Sequence, residues 1–152
     1  MGRILGIILM AGMAMGFSTT GAAEDILLRK AGGVYEVPVN VNGVMDLHFI
    51  IDTGAAEVFI PADVIDALKR TKTVTQRDFL PHKLYTLADG STVKSPRVML
   101  RHIKIGSHQL ENIQASVSQP GSPLLLGQSL LEKLGSYTVD NRRMILVVDG
   151  PR

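Results

Sequence analysis

Phe49-Ile50-Ile51-Asp52-Thr53-Gly54-Ala55-Ala56 is the stretch that decides the reading of this chain. An acidic residue follows three large apolar residues, at the end of a strand that should be buried. Ionised carboxylates avoid such places unless they are paired or hydrogen-bonded. Thr53 and Gly54 supply a hydroxyl and a permissive backbone, so a tight loop can aim hydrogen bonds at the carboxylate. A simple strand-ending turn would use the same residues. The apolar flanks, with Val58, Phe59 and Ile60 resuming a strand, point instead to a site.

Upstream, Val37, Val39 and Val41 alternate with polar residues, and Met45, Leu47, Phe49 and Ile51 do so again. Between them lies Asn42-Gly43, a strong hairpin signal because type I′ turns need positive φ. Pro38 predicts that the first strand lies at an edge or carries a bulge. Downstream, Pro61 to Arg70 reads as one short helix with Val64, Ile65 and Leu68 on its apolar face. Residues 71–83 are polar and ambiguous. Leu84–Leu87 and Thr92–Val98 flank Asp89-Gly90 as a second hairpin, and further strands are expected at Val98–Ile105 and Leu110–Val117. Leu124-Leu125-Leu126 is a short buried run. Gln128–Leu134 reads as a helix stopping at Gly135. Tyr137–Val139 and Met144–Val148 close the chain as a hairpin, and the apolar Met144–Val148 is a candidate dimer contact, though core packing explains it equally well. The sum is one mostly-β domain with two short helices.

Composition narrows the chemistry. The chain has 152 residues, a net charge of +2 and no Cys. Disulfides, thiolate metal sites and thiol nucleophiles are excluded. So small a net charge makes no case for nucleic acid. His48, His82, His102 and His108 share no ligand spacing, so no metal and no cofactor is expected. No G-x-S-x-G elbow or phosphate loop is present. The mean hydropathy of +0.20 traces to the N-terminus. Arg3 precedes an apolar run from Ile4 to Phe17, followed by small residues up to Ala23. That is the layout of a signal peptide over residues 1–23, or of an uncleaved membrane anchor. Either way the remainder is expected outside the cytoplasm, periplasmic or secreted, and at a membrane only if the leader is retained. Residues 24–33 are a spacer, a propeptide or a dimer-interface strand, and 34–149 the working domain.

These motifs resemble the retropepsin-like (clan AA) aspartic proteases. Ile50-Ile51-Asp52-Thr53-Gly54-Ala55 matches the family's catalytic loop. Thr86-Leu87-Ala88-Asp89-Gly90-Ser91-Thr92 stands in the place of its flap, and Leu125-Leu126-Gly127 matches the apolar-apolar-Gly before its C-terminal helix. The order is preserved over residues 34–148. Gln128 departs from the viral enzymes, which tend to carry Arg there, so a viral-type ion-pair network is in doubt. The signal-like leader is closer to a bacterial subgroup.

The resemblance implies a closed acid-protease β-barrel and an Asp52 that is catalytic, with Thr53, Gly54 and Ala55 forming the active-site loop. Ala88, Asp89 and Gly90 would cover the substrate, although an ordinary solvated hairpin would look the same. Leu125, Leu126 and Gly127 would support the loop. Aspartic proteolysis needs two carboxylates sharing one proton and one water. A chain with one Asp-Thr-Gly holds half of that pair, so a homodimer is expected to supply the other. The expected partner is a peptide or unfolded protein. The alternative is a non-catalytic extracytoplasmic β-domain that binds peptide or a partner protein by strand addition.

Overall fold

A computed structural model describes residues 22–86 and 89–149. In chain order its strands are β1 (Glu24–Leu27), β2 (Arg29–Ala31), β3 (Val34–Val41), β4 (Met45–Ile51), β5 (Val58–Pro61), β6 (Phe79–Thr86), β7 (Thr92–Ile105), β8 (His108–Ser118), β9 (Leu125–Leu126), β10 (Tyr137–Asp140) and β11 (Ile145–Val148). Helix α1 covers Ala62–Arg70, helix α2 covers Gln128–Leu134, and a 3-10 turn covers Gln76–Asp78. The leader expected over 1–23 falls, up to residue 21, outside the described residues.

The Asn42-Gly43 turn forms as its chemistry requires, with φ of 51° and 73°. It joins β3 to β4 in unbroken antiparallel register from Val41↔Met45 to Glu36↔Ile50. Asn42 also does long-range work. Its side chain donates to Thr73 O (3.2 Å) and accepts from the His102 N–H (3.3 Å), tying the turn to β7 and to the end of α1. Pro38 lies between the β3 residues that pair with β2 (34–36) and those that pair with β7 (40–41). The local edge anticipated for it is that gap, where a missing N–H costs no ladder bond.

The main sheet runs β2-β3-β4-β9-β5-β8-β7-β6, and β3 pairs again with β7 through Asn40↔Lys104 and Val41↔Ile103. That extra pairing closes β3, β4, β9, β5, β8 and β7 into a ring, the closed barrel that the family resemblance implies. Its interior holds fully buried Val37, Phe49, Ile60, Leu100, Ile103 and Leu126. Two expected strands merge into the single 14-residue β7. Its second half belongs to the ring, and its first half projects with β6 as a hairpin.

The ambiguous stretch 71–83 resolves locally. The Asp78 carboxylate accepts from the Thr75 N–H (2.6 Å) and hydroxyl (2.9 Å), capping the 3-10 turn. β6 then starts at Phe79, with a register irregularity between Leu80 and Lys83.

The structure bears on two further expectations. Residues 24–33, read as a spacer, a propeptide or a dimer-interface strand beside the 34–149 domain, pack against that domain. β1 pairs with β11 and β2 with β3, and Ile26 and Leu28 are buried. The packed domain therefore begins at Glu24. Its carboxylate is held in the Gly106-Ser107 turn by the Ser107 N–H (3.0 Å) and hydroxyl (2.6 Å). Second, β11 offers no free edge, because it is the middle strand of a second sheet ordered β1-β11-β10.

Candidate active site

Asp52 stands one residue past the end of β4 and is half-buried. β9 holds it in place from the side. The Ile50 N–H donates to Leu124 O (2.8 Å) and the Asp52 N–H to Leu126 O (3.1 Å). Ile50↔Leu125 and Ile51↔Leu126 pair in parallel, while Phe59↔Leu125 pairs antiparallel on the other side. The two-residue β9 is thus wedged between the strand that enters the Asp52 loop and the strand that leaves it.

Beyond Asp52 the chain turns sharply. The Ala55 N–H donates to Asp52 O (3.3 Å), and the Gly54 N–H donates to the carboxylate Oδ1 (2.9 Å). Among the described residues, Oδ2 receives no hydrogen bond. Gly54 and Thr53 are exposed and Ala55 is half-buried.

The start of α2 completes the loop. The first N–H groups of a helix lack intrahelical partners. Here the Gln128 N–H donates to Ala55 O (2.8 Å) and the Ser129 N–H to Ala56 O (3.1 Å). The Gln128 side chain adds a bond from Nε2 to Thr53 O (2.9 Å). The residue that departs from the viral pattern therefore still grips the Asp52 loop, by a neutral hydrogen bond. Gly127 makes this approach possible. A Cβ there would lie 2.1 Å from Glu57 O and 2.6 Å from Ala55 O.

The β6–β7 hairpin stands beside the loop. A groove of about 880 Å³ runs between them, lined on one side by Gly54, Ala55, Ala56 and Phe59 and on the other by Tyr85, Thr86 and Val93–Pro96. Asp89 and Gly90 sit exposed at the hairpin tip. Asp89 Oδ1 accepts from the Ser91 N–H (2.9 Å) and hydroxyl (2.6 Å), and the Ser91 hydroxyl first, then its N–H, hold the carboxyl below the ordinary range. Ala88, expected with them, lies outside the described residues, as does Leu87. Among the described residues, the hairpin side of the groove is walled by the stem, and Asp89 and Gly90 do not line it.

Glu57 was missed. It is 7% exposed at the entry to β5, where Lys83, Tyr85 and Ser116 converge on its carboxylate. Burial pushes the carboxyl upward, but hydrogen bonds from those three groups, with the charge of Lys83, outweigh it and hold Glu57 below the usual carboxylate range. The same enclosure, reinforced by the bond to Glu57, pushes the Tyr85 phenol up to about 12. An acidic residue opening the apolar run Val58-Phe59-Ile60 was the available signal, the same one that marked Asp52.

Of the four histidines, His48 and His82 are exposed and His102 and His108 half-buried. His108 Nε2 lies 3.3 Å from the Glu24 carboxylate. Among the described residues no group of three or more His, Asp or Glu side chains gathers as a metal site.

Comparison with known proteins agrees with this architecture. A search among curated proteins finds no match. The crystal structure of a retropepsin-like aspartic protease from Rickettsia conorii superposes with a TM-score of 0.56 at 24% identity, covering 84% of this chain and 93% of that one. That likeness bears on the fold. A family model described as "gag-polyprotein putative aspartyl protease" matches residues 37–133, which run from β3 through the Asp52 loop, the hairpin and β9 into α2. With well over half its length matched in that order, the chain belongs to the gag-type, retropepsin-like family of aspartic proteases.

Proposed function

We propose that the protein is an aspartic endopeptidase that hydrolyses peptide bonds as a homodimer outside the cytoplasm. The observation that carries this reading is the Asp52 carboxylate, held by the Gly54 N–H at 2.9 Å in a loop that also lines the groove. In a dimer, the Asp52 loops of two copies meet at the two-fold axis. Two carboxylates that close cannot both ionise, so they share one proton. The ionised carboxylate takes a proton from a water, and the protonated one donates to the scissile carbonyl. The water oxygen attacks the carbonyl carbon to give a gem-diol; the proton taken from water then passes to the nitrogen as the C–N bond breaks, and a gem-diol hydroxyl returns a proton to the other carboxylate. Thr53 and Gly54, exposed beside Asp52, would meet their counterparts across the axis.

The groove suits an extended peptide. Phe59, Tyr85, Val93 and Val117 give it apolar walls, and a peptide laid beneath the β6–β7 hairpin can bond to strand backbone there. The extracytoplasmic setting rests on the signal-like pattern of residues 1–23.

Asp52→Asn tests the proposal. It should abolish cleavage of an unfolded protein at about pH 4–6, where a shared-proton pair of this type works, and should leave the light-scattering mass at twice that of one chain. Unchanged cleavage refutes the assignment. A monomer at micromolar concentration, with no turnover, favours a peptide-binding domain instead.

A further inference from the structure

Glu57 is five residues beyond Asp52, and its buried carboxylate is satisfied almost entirely from elsewhere in the chain. Lys83 pairs with Oε1. The Tyr85 hydroxyl donates to Oε2 at 2.6 Å, and the Ser116 hydroxyl lies within bonding reach of Oε2 (3.1 Å) and of Tyr85 Oη. Lys83 and Tyr85 are two apart on β6, so they share a face, while the intervening Leu84 is 66% exposed on the other. The inward face of the hairpin stem is therefore pinned to the start of β5 by an ion pair and a phenol, and to β8 through Ser116.

We infer that Glu57 is a positioning residue: it fastens the hairpin stem to the Asp52 loop and fixes the Tyr85 side chain as a wall of the groove. The inference rests on the reading of that groove as the substrate site. Glu57 does not line the groove. It borders a separate cavity of about 220 Å³ with Ile113, Gln114, Ser129 and Lys133, so it acts through Tyr85. The Tyr85 ring meets the Phe59 ring at 5.5 Å and 58°, and both rings face the groove. Lys83 Nζ lies 5.2 Å from the centroid of the Tyr85 ring, so one cation serves both members of the clamp. The two hydroxyl protons, those of Tyr85 and Ser116, are shared among three close contacts, so neither is free to be donated to substrate.

Swinging Tyr85 into the groove would strip a hydrogen bond from a buried carboxylate, a costly step. The wall is therefore rigid in the unliganded chain, and a peptide meets a groove of set width.

The test uses the full chain with Glu57→Ala, Glu57→Gln and Tyr85→Phe, a fluorogenic peptide, and amide hydrogen exchange. Loss of a bond to a charged group should raise KM about tenfold in Glu57→Ala, with kcat per active site little changed. Glu57→Gln keeps an amide oxygen to accept from Tyr85 and Ser116, so it should recover most of the lost KM. Tyr85→Phe keeps the ring and loses the bond, so it should fall between them. Exchange should quicken about tenfold at residues 83–86 and 92–96 in Glu57→Ala, with β4 and β9 unaffected. A fall in kcat at constant KM, or faster exchange spread evenly over the barrel, would overturn the inference and leave Glu57 as a support of the whole fold. Should Glu57→Ala fail to fold, the Glu57→Gln and Tyr85→Phe comparison decides by the same readouts. If the wild-type chain hydrolyses no peptide, the proposed function has failed, and the exchange pattern alone still judges the clamp.

Discussion

Gly127→Ala isolates the contact that holds the Asp52 loop. The backbone at Gly127 has φ −90° and ψ −179°, which alanine adopts freely, so no conformational penalty enters. Replacing glycine in such a conformation ordinarily stabilises by about 0.4–1 kcal/mol, through the unfolded chain. Here the sign reverses for steric reasons alone. The new Cβ would stand 2.1 Å from Glu57 O and 2.6 Å from Ala55 O. Both atoms are backbone, so no side chain can swing away. Reaching ordinary contact demands a shift of more than ~1 Å. That shift would separate Gln128 N–H from Ala55 O and Ser129 N–H from Ala56 O, now at 2.8 and 3.1 Å. Overpacking costs about 1–3 kcal/mol, and two backbone bonds add about 1 kcal/mol each. A loss of about 3–5 kcal/mol corresponds to a fall in Tm of about 12–20 °C for a domain of this size. Thermal unfolding followed by circular dichroism measures it. Gly54→Ala is the control, since its Cβ would lie 3.3 Å from Asp52 Oδ1; it should melt within about 4 °C of wild type, a cost of roughly 1 kcal/mol. If Gly127→Ala melts as wild type does, the wedge of β9 and α2 against the loop is not what holds it.

Other expectations follow from the same geometry. The carboxyls of Glu24, Glu57, Asp89 and Asp140 are all held below their ordinary values. The unfolded chain therefore takes up protons first on acidification, and the stability these groups contribute is present above about pH 5 and lost toward about pH 3. Melting temperatures should drop over that window, less steeply in Glu57→Gln; a rise instead would contradict the hydrogen-bond assignments. In a phenolate absorbance titration, Tyr85 should ionise at about 12, a step that Tyr85→Phe removes. Its contribution to stability is complete below about pH 10 and disappears as pH climbs through 12. Asn42→Gly keeps the turn conformation and removes the bonds to Thr73 and His102, so it should destabilise by about 1–3 kcal/mol in chemical denaturation; a neutral result would show those bonds to be worthless.

Legibility in the sequence tracked the range of the interactions. Asn42-Gly43, the α2 stop at Gly135 and the alternation of β3 and β4 are local chemistry, and each forms where expected. Asp52 was visible because a charge after Phe49-Ile50-Ile51 demands compensation. The bond to its carboxylate is local, from the Gly54 N–H; what braces the loop was not visible, because the N–H groups of Gln128 and Ser129, which donate to Ala55 O and Ala56 O, come from more than 70 residues away, and a backbone donor leaves no mark on residue type. Glu57 obeyed the same rule as Asp52, yet it is not part of a recognised tripeptide. Two of its partners sit on β6 and the third, Ser116, on β8; the first half of β6 is hidden by Pro81, His82 and Lys83, which lack the alternation that reveals β3. Barrel closure through Asn40↔Lys104 and Val41↔Ile103 is likewise a pairing between distant segments, where either partner alone reads as an ordinary strand.

The segment 24–28 decides how two copies can meet. As a removable spacer it would leave β11 free to pair with another chain. In the structure β11 is paired on both sides, with β1 from Glu24↔Val148 to Leu27↔Ile145 and with β10 from Tyr137↔Val148 to Asp140↔Ile145. Within this sheet, a second copy can add only at the outer edges of β1 and β10 unless β1 is displaced. Displacement is expensive. Ile26 and Leu28 are 6% and 4% exposed, and the Leu28 N–H donates to Met144 O at 2.8 Å. Deleting both side chains costs about 4–10 kcal/mol on the scale of core truncations, comparable to the total stability of a domain at about 5–15 kcal/mol. A chain that begins at Arg29 should therefore melt far below the full domain and aggregate through the bare β11 edge. Size-exclusion light scattering and thermal melts of the two lengths make the comparison. A shortened chain that keeps its melting temperature and gains a dimer mass would reverse the argument: β1 would be a strap over the pairing strand, and residues 24–28 a true propeptide.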